Sequence, residues 1–313
     1  MKSPRTMTSL VNEYVEFRRR LGFTFRSVGL ELGLFAKYAD RAHHKGPITT
    51  DLVVEWATST TKPSPEYRAW RFNAIRSFLF HQATEDPRNE VPPRGLLGPG
   101  FRRAQPHIFS ATEVSALLRA TNALGPAGGL RPKTYTTLFG LLAATGLRIS
   151  EALGLKCADV DLNACVLRIE KAKGGRERMV PLHRTAGAAL RLYARARRRR
   201  HPLPESNAFF LTERGTAVTY PWVTRTFRKI RAQLAWRGRS PPRLHDLRHT
   251  FAVRNLLRWC RAGQNVDSKI TLLSKYLGHV NVTGTYWYLT AVPELMALTS
   301  ARFERWAVPP GEQ

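Results

Sequence analysis

The sequence predicts a mainly α-helical chain with a small β-sheet, an α+β protein, divided into two domains. Three observations carry that prediction. Apolar residues recur at helical spacing through roughly the first 85 positions. Prolines at 87, 92, 93, 99 and 106, with glycines between them, then interrupt the pattern. Helical stretches resume beyond, broken once by two short runs that flank Lys173-Gly174-Gly175.

Each element has its own reason. Residues 7–20 place Leu10, Tyr14, Phe17 and Leu21 on one stripe, which predicts a first helix with those four inward. Residues 28–42 predict a second, with Leu30, Leu34, Phe35 and Tyr38 inward. Thr50 or Asp51 caps a third that carries Leu52, Val53 and Trp56. Residues 64–83 predict a fourth through Trp70, Ala74, Ile75, Phe78 and Leu79. These make a helical domain over 1–90, and the proline-rich stretch makes a linker over 91–108. The second domain, 109–313, opens with Ser110 and Glu113 spaced as a capping box. A buried helix over 133–145 follows. Residues 165–169 and 178–182 read as two strands of a hairpin. Further helices are expected over 185–200, 221–236, 247–261, 269–277 and 293–306.

The charge balance narrows the partner. Fifty Lys+Arg stand against 23 Asp+Glu, a net charge of +27, and 39 of the 50 are arginine. The planar guanidinium fork matches phosphate oxygens in pairs. A polyanion such as nucleic acid is therefore favoured over a membrane, with binding that weakens as salt rises. The bland alternative is a basic protein from an arginine-rich proteome. Cys157, Cys165 and Cys260 are odd in number and scattered, which suggests neither a disulfide framework nor a zinc ribbon and fits a reducing cytoplasm. The first 14 residues carry no signal-peptide core, and the apolar run around 138–144 is too short to span a bilayer.

Six scattered positions carry the chemistry. Arg148 follows Thr-Gly-Leu at a helix start, where a phosphate would meet both the helix N-terminus and a bidentate guanidinium. Lys173 sits at a hairpin tip able to enter a groove. His245 and Arg248 are three apart on one helix and share a face. His279 follows Gly278, a residue suited to a left-handed helix cap. Tyr288 is a potential nucleophile nine residues further on. Each residue has a plain alternative: Arg148 and Lys173 as solvated surface charges, Tyr288 as aromatic packing, the arginines of 195–200 as a solvated helix end. His245 and His249 are spaced for a metal, but no acidic or third ligand accompanies them, so neither a metal nor any other cofactor is expected.

Taken together, TGLRISEALGL, KGGRERMVPL, HDLRHTFA and LGH-x8-Tyr resemble the tyrosine recombinases, a family that includes phage integrases, Xer-type resolvases and transposon-encoded relatives. The four motifs stand in family order over roughly 109–306. The N-terminal part is similar to the family's core-binding domain in size and helicity. The resemblance is nearer to Xer-type or mobile-element members than to larger phage integrases. It implies a two-domain, C-shaped clamp on DNA. It also implies that Tyr288 attacks the scissile phosphate, giving a 3′-phosphotyrosine and a free 5′-hydroxyl. Arg148 and Arg248 would clamp the non-bridging oxygens, and Lys173, with Lys171 a weaker candidate, would protonate the leaving oxygen. His245 would assist proton transfer from Tyr288, His279 would donate to the phosphate, and Glu151 would support the site. Tyr276 and Tyr286 are less favoured nucleophiles by spacing. The implied partners are double-stranded recombination sites and a homotetramer on two duplexes, alone or with sister recombinases, joined through a Holliday junction in a bacterial cytoplasm at the nucleoid. A helix over 293–306, with Leu295, Leu298, Arg302 and Trp306, would dock on a neighbouring subunit. Competing readings are a type IB topoisomerase, a silent DNA-binding accessory and a metal-dependent nuclease.

Overall fold

A computed structural model describes residues 6–61, 64–100, 105–170, 177–234, 236, 241–279, 281–291, 295–297 and 300. The chain divides into two units, Met1–Ala104 and Gln105–Gln313.

The first unit is helical: α1 (Met7–Arg20), α2 (Arg26–Arg41), α3 (Thr50–Thr58), α4 (Pro65–Ala74) and α5 (Arg76–Glu85). The oxygens of Thr6 and Thr49 cap α1 and α3 by accepting from backbone N–H groups three residues on. Val11, Tyr14, Phe35, Trp56, Phe72 and Phe78 form its core. Beside it Glu31 and Arg71 make a buried ion pair at 3.1 Å, with Tyr67 donating to the same carboxylate at 3.0 Å.

Three expectations are corrected here. Phe17, Leu21, Leu30 and Leu34 are exposed, and Met7, Val11, Val15, Leu32, Ala36 and Ala39 are buried in their stead. The stripes of α1 and α2 are thus turned from those assigned, because residues one position apart draw stripes of the same period. The single helix expected over 64–83 is two helices. The break falls at Ile75, whose side chain is fully buried. The cap of α3 is Thr49, one residue before the two named.

The second unit holds α6 (Ala111–Asn122), α7 (Leu130–Thr145), α8 (Ile149–Gly154), a 3₁₀ turn at Cys157–Asp159, and then the strands β1 (Val160–Asp161), β2 (Val166–Ile169) and β3 (Arg178–Pro181). The helices α9 (Arg184–Arg200), α10 (Tyr220–Leu234), α11 (Asp246–Arg261), α12 (Val266–Leu277) and α13 (Thr283–Ala291) follow. The sheet is antiparallel in the order β1-β2-β3, with Leu167 opposite Val180 and Ile169 opposite Arg178. The expected hairpin is present, with β1 as an added edge. Ser110 and Glu113 form the expected capping box.

The unit has two apolar clusters. One gathers Phe139, Leu190, Tyr193, Phe210, Phe227 and Leu247, and so joins α7, α9, α10 and the start of α11. The other packs α11 on α12 and α13 through Leu256, Leu273, Leu277 and Tyr288, and includes Leu295. Leu295 is buried within its own chain. Leu298, Arg302 and Trp306 lie outside the described residues.

Candidate active site

Two left-handed glycines set the geometry. Gly146 (φ 63°) ends α7 and turns the chain into Arg148, the residue before α8. Gly278 (φ 68°) ends α12 and turns it into His279. Neither place tolerates a side chain. A Cβ on Gly146 would meet the Phe251 ring at 2.7 Å, and one on Gly278 would meet the Arg178 guanidinium at 2.7 Å.

The carbonyls beside these turns hold the two arginines. Arg248, on the first turn of α11, donates to the carbonyls of Gly146 and Leu277, each at 2.8 Å. Arg148 donates to the Gly278 carbonyl at 2.9 Å and to Glu151 at 2.8 Å. Segments 130 residues apart in the chain are thereby locked together. Arg248 is buried, and its guanidinium is lowered to about 10 by burial first and by the Arg148 charge next. It stays cationic at neutral pH.

Glu151 is the counter-charge. Its buried carboxylate also accepts two bonds from Arg178, at 3.1 and 2.8 Å, and one from the Arg148 backbone N–H at 3.0 Å. Burial pushes this acid upward. The Arg178 hydrogen bonds, then the Arg148 N–H, outweigh burial and hold it below the usual carboxylate range. Arg178, on β3, was not singled out from the sequence. It also donates to the Tyr276 carbonyl at 2.9 Å, so it ties the sheet to α12. Three guanidinium groups on one carboxylate-centred frame leave a net positive site.

His245, His279 and Tyr288 cluster with these. His245 immediately precedes α11. Its edge is open to solvent, yet desolvation by the surrounding protein, and then Arg248, lower its imidazole to about 4. At neutral pH His245 is therefore the neutral imidazole. Asp246 accepts from Arg243 and fixes the start of the helix. His279 bonds through Nδ1 to the Thr285 hydroxyl at 2.6 Å. Tyr288, on α13, is buried, and its phenol bonds to Nδ1 of His249 at 2.8 Å. The family resemblance assigned that place to His245. The His245 ring instead packs edge-on against His249, with centroids 4.7 Å apart. His249 lies one helical turn beyond His245, and this spacing had been read only as a possible metal pair. Lys173 lies outside the described residues, as does Lys171. Tyr276 stacks on Phe251, and burial pushes its phenol up to about 12, which disfavours it as a nucleophile. Tyr286 is exposed.

Among the described residues no group of three or more His, Cys, Asp or Glu is placed to hold a metal ion. Nor is any helix among them long and apolar enough to cross a membrane.

Residues 108–294 match the phage integrase family. The Sinorhizobium fredii protein y4rB, an integrase/recombinase by name, is 40% identical over 308 residues, covering 96% of this chain and 98% of its own. The tyrosine recombinase XerD of Ralstonia nicotianae is 32% identical over 63% of this chain and 60% of its own length. Among solved structures, the Tn1549 transposon integrase in complex with circular intermediate DNA aligns with a TM-score of 0.66 at 18% identity, covering 95% of this chain and 99% of that one. XerH in a post-cleavage complex with its difH substrate gives 0.64 at 19%, over 95% and 85%. These two likenesses show the fold.

Proposed function

The chain belongs to the phage integrase family and is a tyrosine recombinase, an enzyme of DNA strand breakage and rejoining, and on that premise we propose that Tyr288 is its nucleophile. The phenolic oxygen attacks a backbone phosphorus, leaving a 3′-phosphotyrosine and a free 5′-hydroxyl. Arg148 and Arg248 take the non-bridging oxygens and stabilise the charge that grows on them. His245 and His279 donate to the same phosphate. Glu151, through Arg148 and Arg178, holds the frame. Lys173 protonates the leaving oxygen. No metal or nucleotide is required, because the phosphotyrosine bond conserves the energy for religation.

One observation carries this reading. Arg148, Arg248, His279 and Tyr288 come from four different elements, and the carbonyls of 146, 277 and 278 with the His249–Tyr288 bond bring them to one place. Packing alone has no need to set a buried arginine within electrostatic reach of two further arginines, a glutamate and a tyrosine.

The partners proposed are double-stranded recombination sites, bound by four subunits on two duplexes and exchanged through a Holliday junction. The outcome is integration, excision or resolution of a mobile element, in a bacterial cytoplasm at the nucleoid. The relatives' names and the DNA complexes of the Tn1549 and XerH enzymes support that choice. Residues 1–90 would serve as the core-binding domain, with 91–108 as linker and 109–313 as catalytic domain.

The test is covalent trapping. Duplex DNA selected by the full chain from a randomised pool is nicked near the binding site and incubated with wild type and Tyr288→Phe. A protein–DNA adduct from wild type alone, at Tyr288 by peptide mapping, is expected. An adduct from the variant overturns the assignment. Strand joining between duplexes, rather than relaxation of supercoils by a monomer, separates recombination from topoisomerase action.

A further inference from the structure

Tyr288 poses a problem that the family frame does not solve by itself. Its side chain is 2% exposed. A phenol ionises near pH 10, so at neutral pH the nucleophile is almost wholly protonated. Attack on phosphorus requires that proton to leave, and a buried oxygen has no bulk water to receive it. The acceptor must be a protein group in contact with the phenolic oxygen.

The His249 imidazole is bonded to that oxygen, Nδ1 to Oη at 2.8 Å. The arrangement is built rather than incidental. Residues 245, 248 and 249 share one face of the first turn of α11, where the i, i+3 and i+4 positions meet. The His249 ring is held by neighbours on three sides. The Tyr288 ring lies at 5.4 Å between centroids and 63°, the Trp287 ring at 5.7 Å, and the His245 ring edge-on at 4.7 Å. His245, just before α11, packs its ring on His249, and Arg248 on α11 lies within electrostatic reach of Tyr288 and of Arg148, Glu151 and Arg178.

We propose that His249 is a catalytic residue that takes the phenolic proton of Tyr288 during strand cleavage and returns it during religation. This rests on the reading of Tyr288 as nucleophile. With its own proton on Nε2, the ring accepts through Nδ1. As the phenolic oxygen bonds to phosphorus, the phosphorus–5′-oxygen bond breaks and the phenolic proton passes to Nδ1. The departing 5′-oxygen takes its proton from the general acid proposed above, Lys173. Religation runs each transfer backwards, so protons and charge balance over the cycle. His245 is thereby released to face the phosphate.

The test separates holding the phenol from taking its proton. Asparagine can keep a hydrogen bond at the Nδ1 position but cannot be protonated there. Wild type, His249→Asn, His249→Gln and Tyr288→Phe are assayed for adduct formation from pH 6 to pH 10. The selected duplex carries a 5′-bridging phosphorothiolate, whose sulfur leaves without an acid, so only activation of the nucleophile is read. Melting curves confirm that each variant is folded, and His249→Gln replaces His249→Asn if the latter is not. The expected result is a loss of about 100-fold or more in the variant near pH 7, the range for a positioned base. The variant rate should climb steadily towards the phenol's own ionisation while the wild-type rate levels off. A His249→Asn rate within a few-fold of wild type, with an unchanged pH profile, overturns the inference alone. No adduct from wild type overturns the Tyr288 reading and the inference with it.

Discussion

At the scale of single residues the site is an exercise in compensating charge. Glu151 faces Arg148 and Arg178, and all three are largely shielded from water. Removing one member of such a group strands the others, a loss on the order of 3 kcal/mol. Glu151→Ala should therefore lower the melting temperature markedly, while Glu151→Gln should lose less because it keeps the shape and an acceptor. The pH dependence has a definite sign. The carboxylate is held below its unfolded value, so its contribution is complete above the usual carboxylate range and fades as pH falls through the lowered value. The acid limb of a melting-temperature profile should flatten in Glu151→Gln; an unchanged limb would mean that other carboxylates dominate it. His245 acts at a higher window. Its imidazole is lowered from 6.5 to about 4, so the neutral form it requires is present above 6.5 and stability drains away as pH drops toward 4. A bound phosphodiester reverses this preference by favouring the imidazolium. DNA affinity should then rise more steeply between pH 7 and pH 5 in wild type than in His245→Asn, read by fluorescence anisotropy. Equal slopes would deny His245 a place at the phosphate. Much of this frame was legible from motif spacing, because Arg148, His245, Arg248 and His279 sit at or near helix ends, and Tyr288 follows His279 at a fixed distance. Arg178 and His249 were not. Arg178 reaches Tyr276, 98 positions away, from the first residue of a strand, and no local pattern announces such a contact. His249 stood in plain view, but spacing alone cannot say which of two histidines one turn apart meets a tyrosine 39 residues on.

At the scale of elements, the turns decide where chemistry can occur. Gly146 and Gly278 each adopt the left-handed conformation, which costs about 1–2 kcal/mol for a residue with a Cβ. Each also lies where a Cβ would collide with a ring or a guanidinium. The two substitutions should fail differently. Gly146→Ala presses on Phe251, a side chain of the α11–α12 packing, and should mainly lower stability. Gly278→Ala displaces Arg178 and shifts the carbonyl that holds Arg148, so cleavage should fall further than stability does. Melting curves and trapping yields measured on both variants check this, and equal ratios of the two losses would refute it. A side-chain cap helped the sequence locate α1 and α6, through Thr6 and Ser110, but α11 was located to within one residue without such a cap, and α12 starts three residues before its expected start despite the Asn265 cap. The break between α4 and α5 carries neither proline nor glycine, so its cause lies in tertiary packing around Ile75. The short α8 and the two-residue β1 are below the length at which periodicity speaks. The turned stripes of α1 and α2 show the other weakness of pattern reading. Those helices carry more apolar residues than one stripe can bury, and the neighbours choose which stripe is used.

At the scale of the whole molecule, charge is partitioned unevenly between two units that each own a core. Residues 1–104 carry 17 Lys+Arg against 10 Asp+Glu, a net of +7. That leaves +20 of the total +27 in residues 105–313. Each phosphate neutralised releases counterions, so the logarithm of affinity falls with the logarithm of salt by about 0.9 per contact. The uneven partition makes a quantitative expectation possible. The fragment 105–313 should retain most of the full chain's salt slope on duplex of arbitrary sequence, although it lacks a third of the residues. The fragment 1–104 should show a shallow slope even where it binds. What the first unit adds should appear instead as discrimination between the selected duplex and a scrambled one, since phosphate contacts position a protein and base contacts specify the site. Anisotropy titrations of full chain and fragments from 50 to 300 mM salt, on both duplexes, provide the measurement. A steep slope confined to 1–104 would show that net charge is not what brings this enzyme to DNA. The basic surface of the second unit would then serve the catalytic pocket alone.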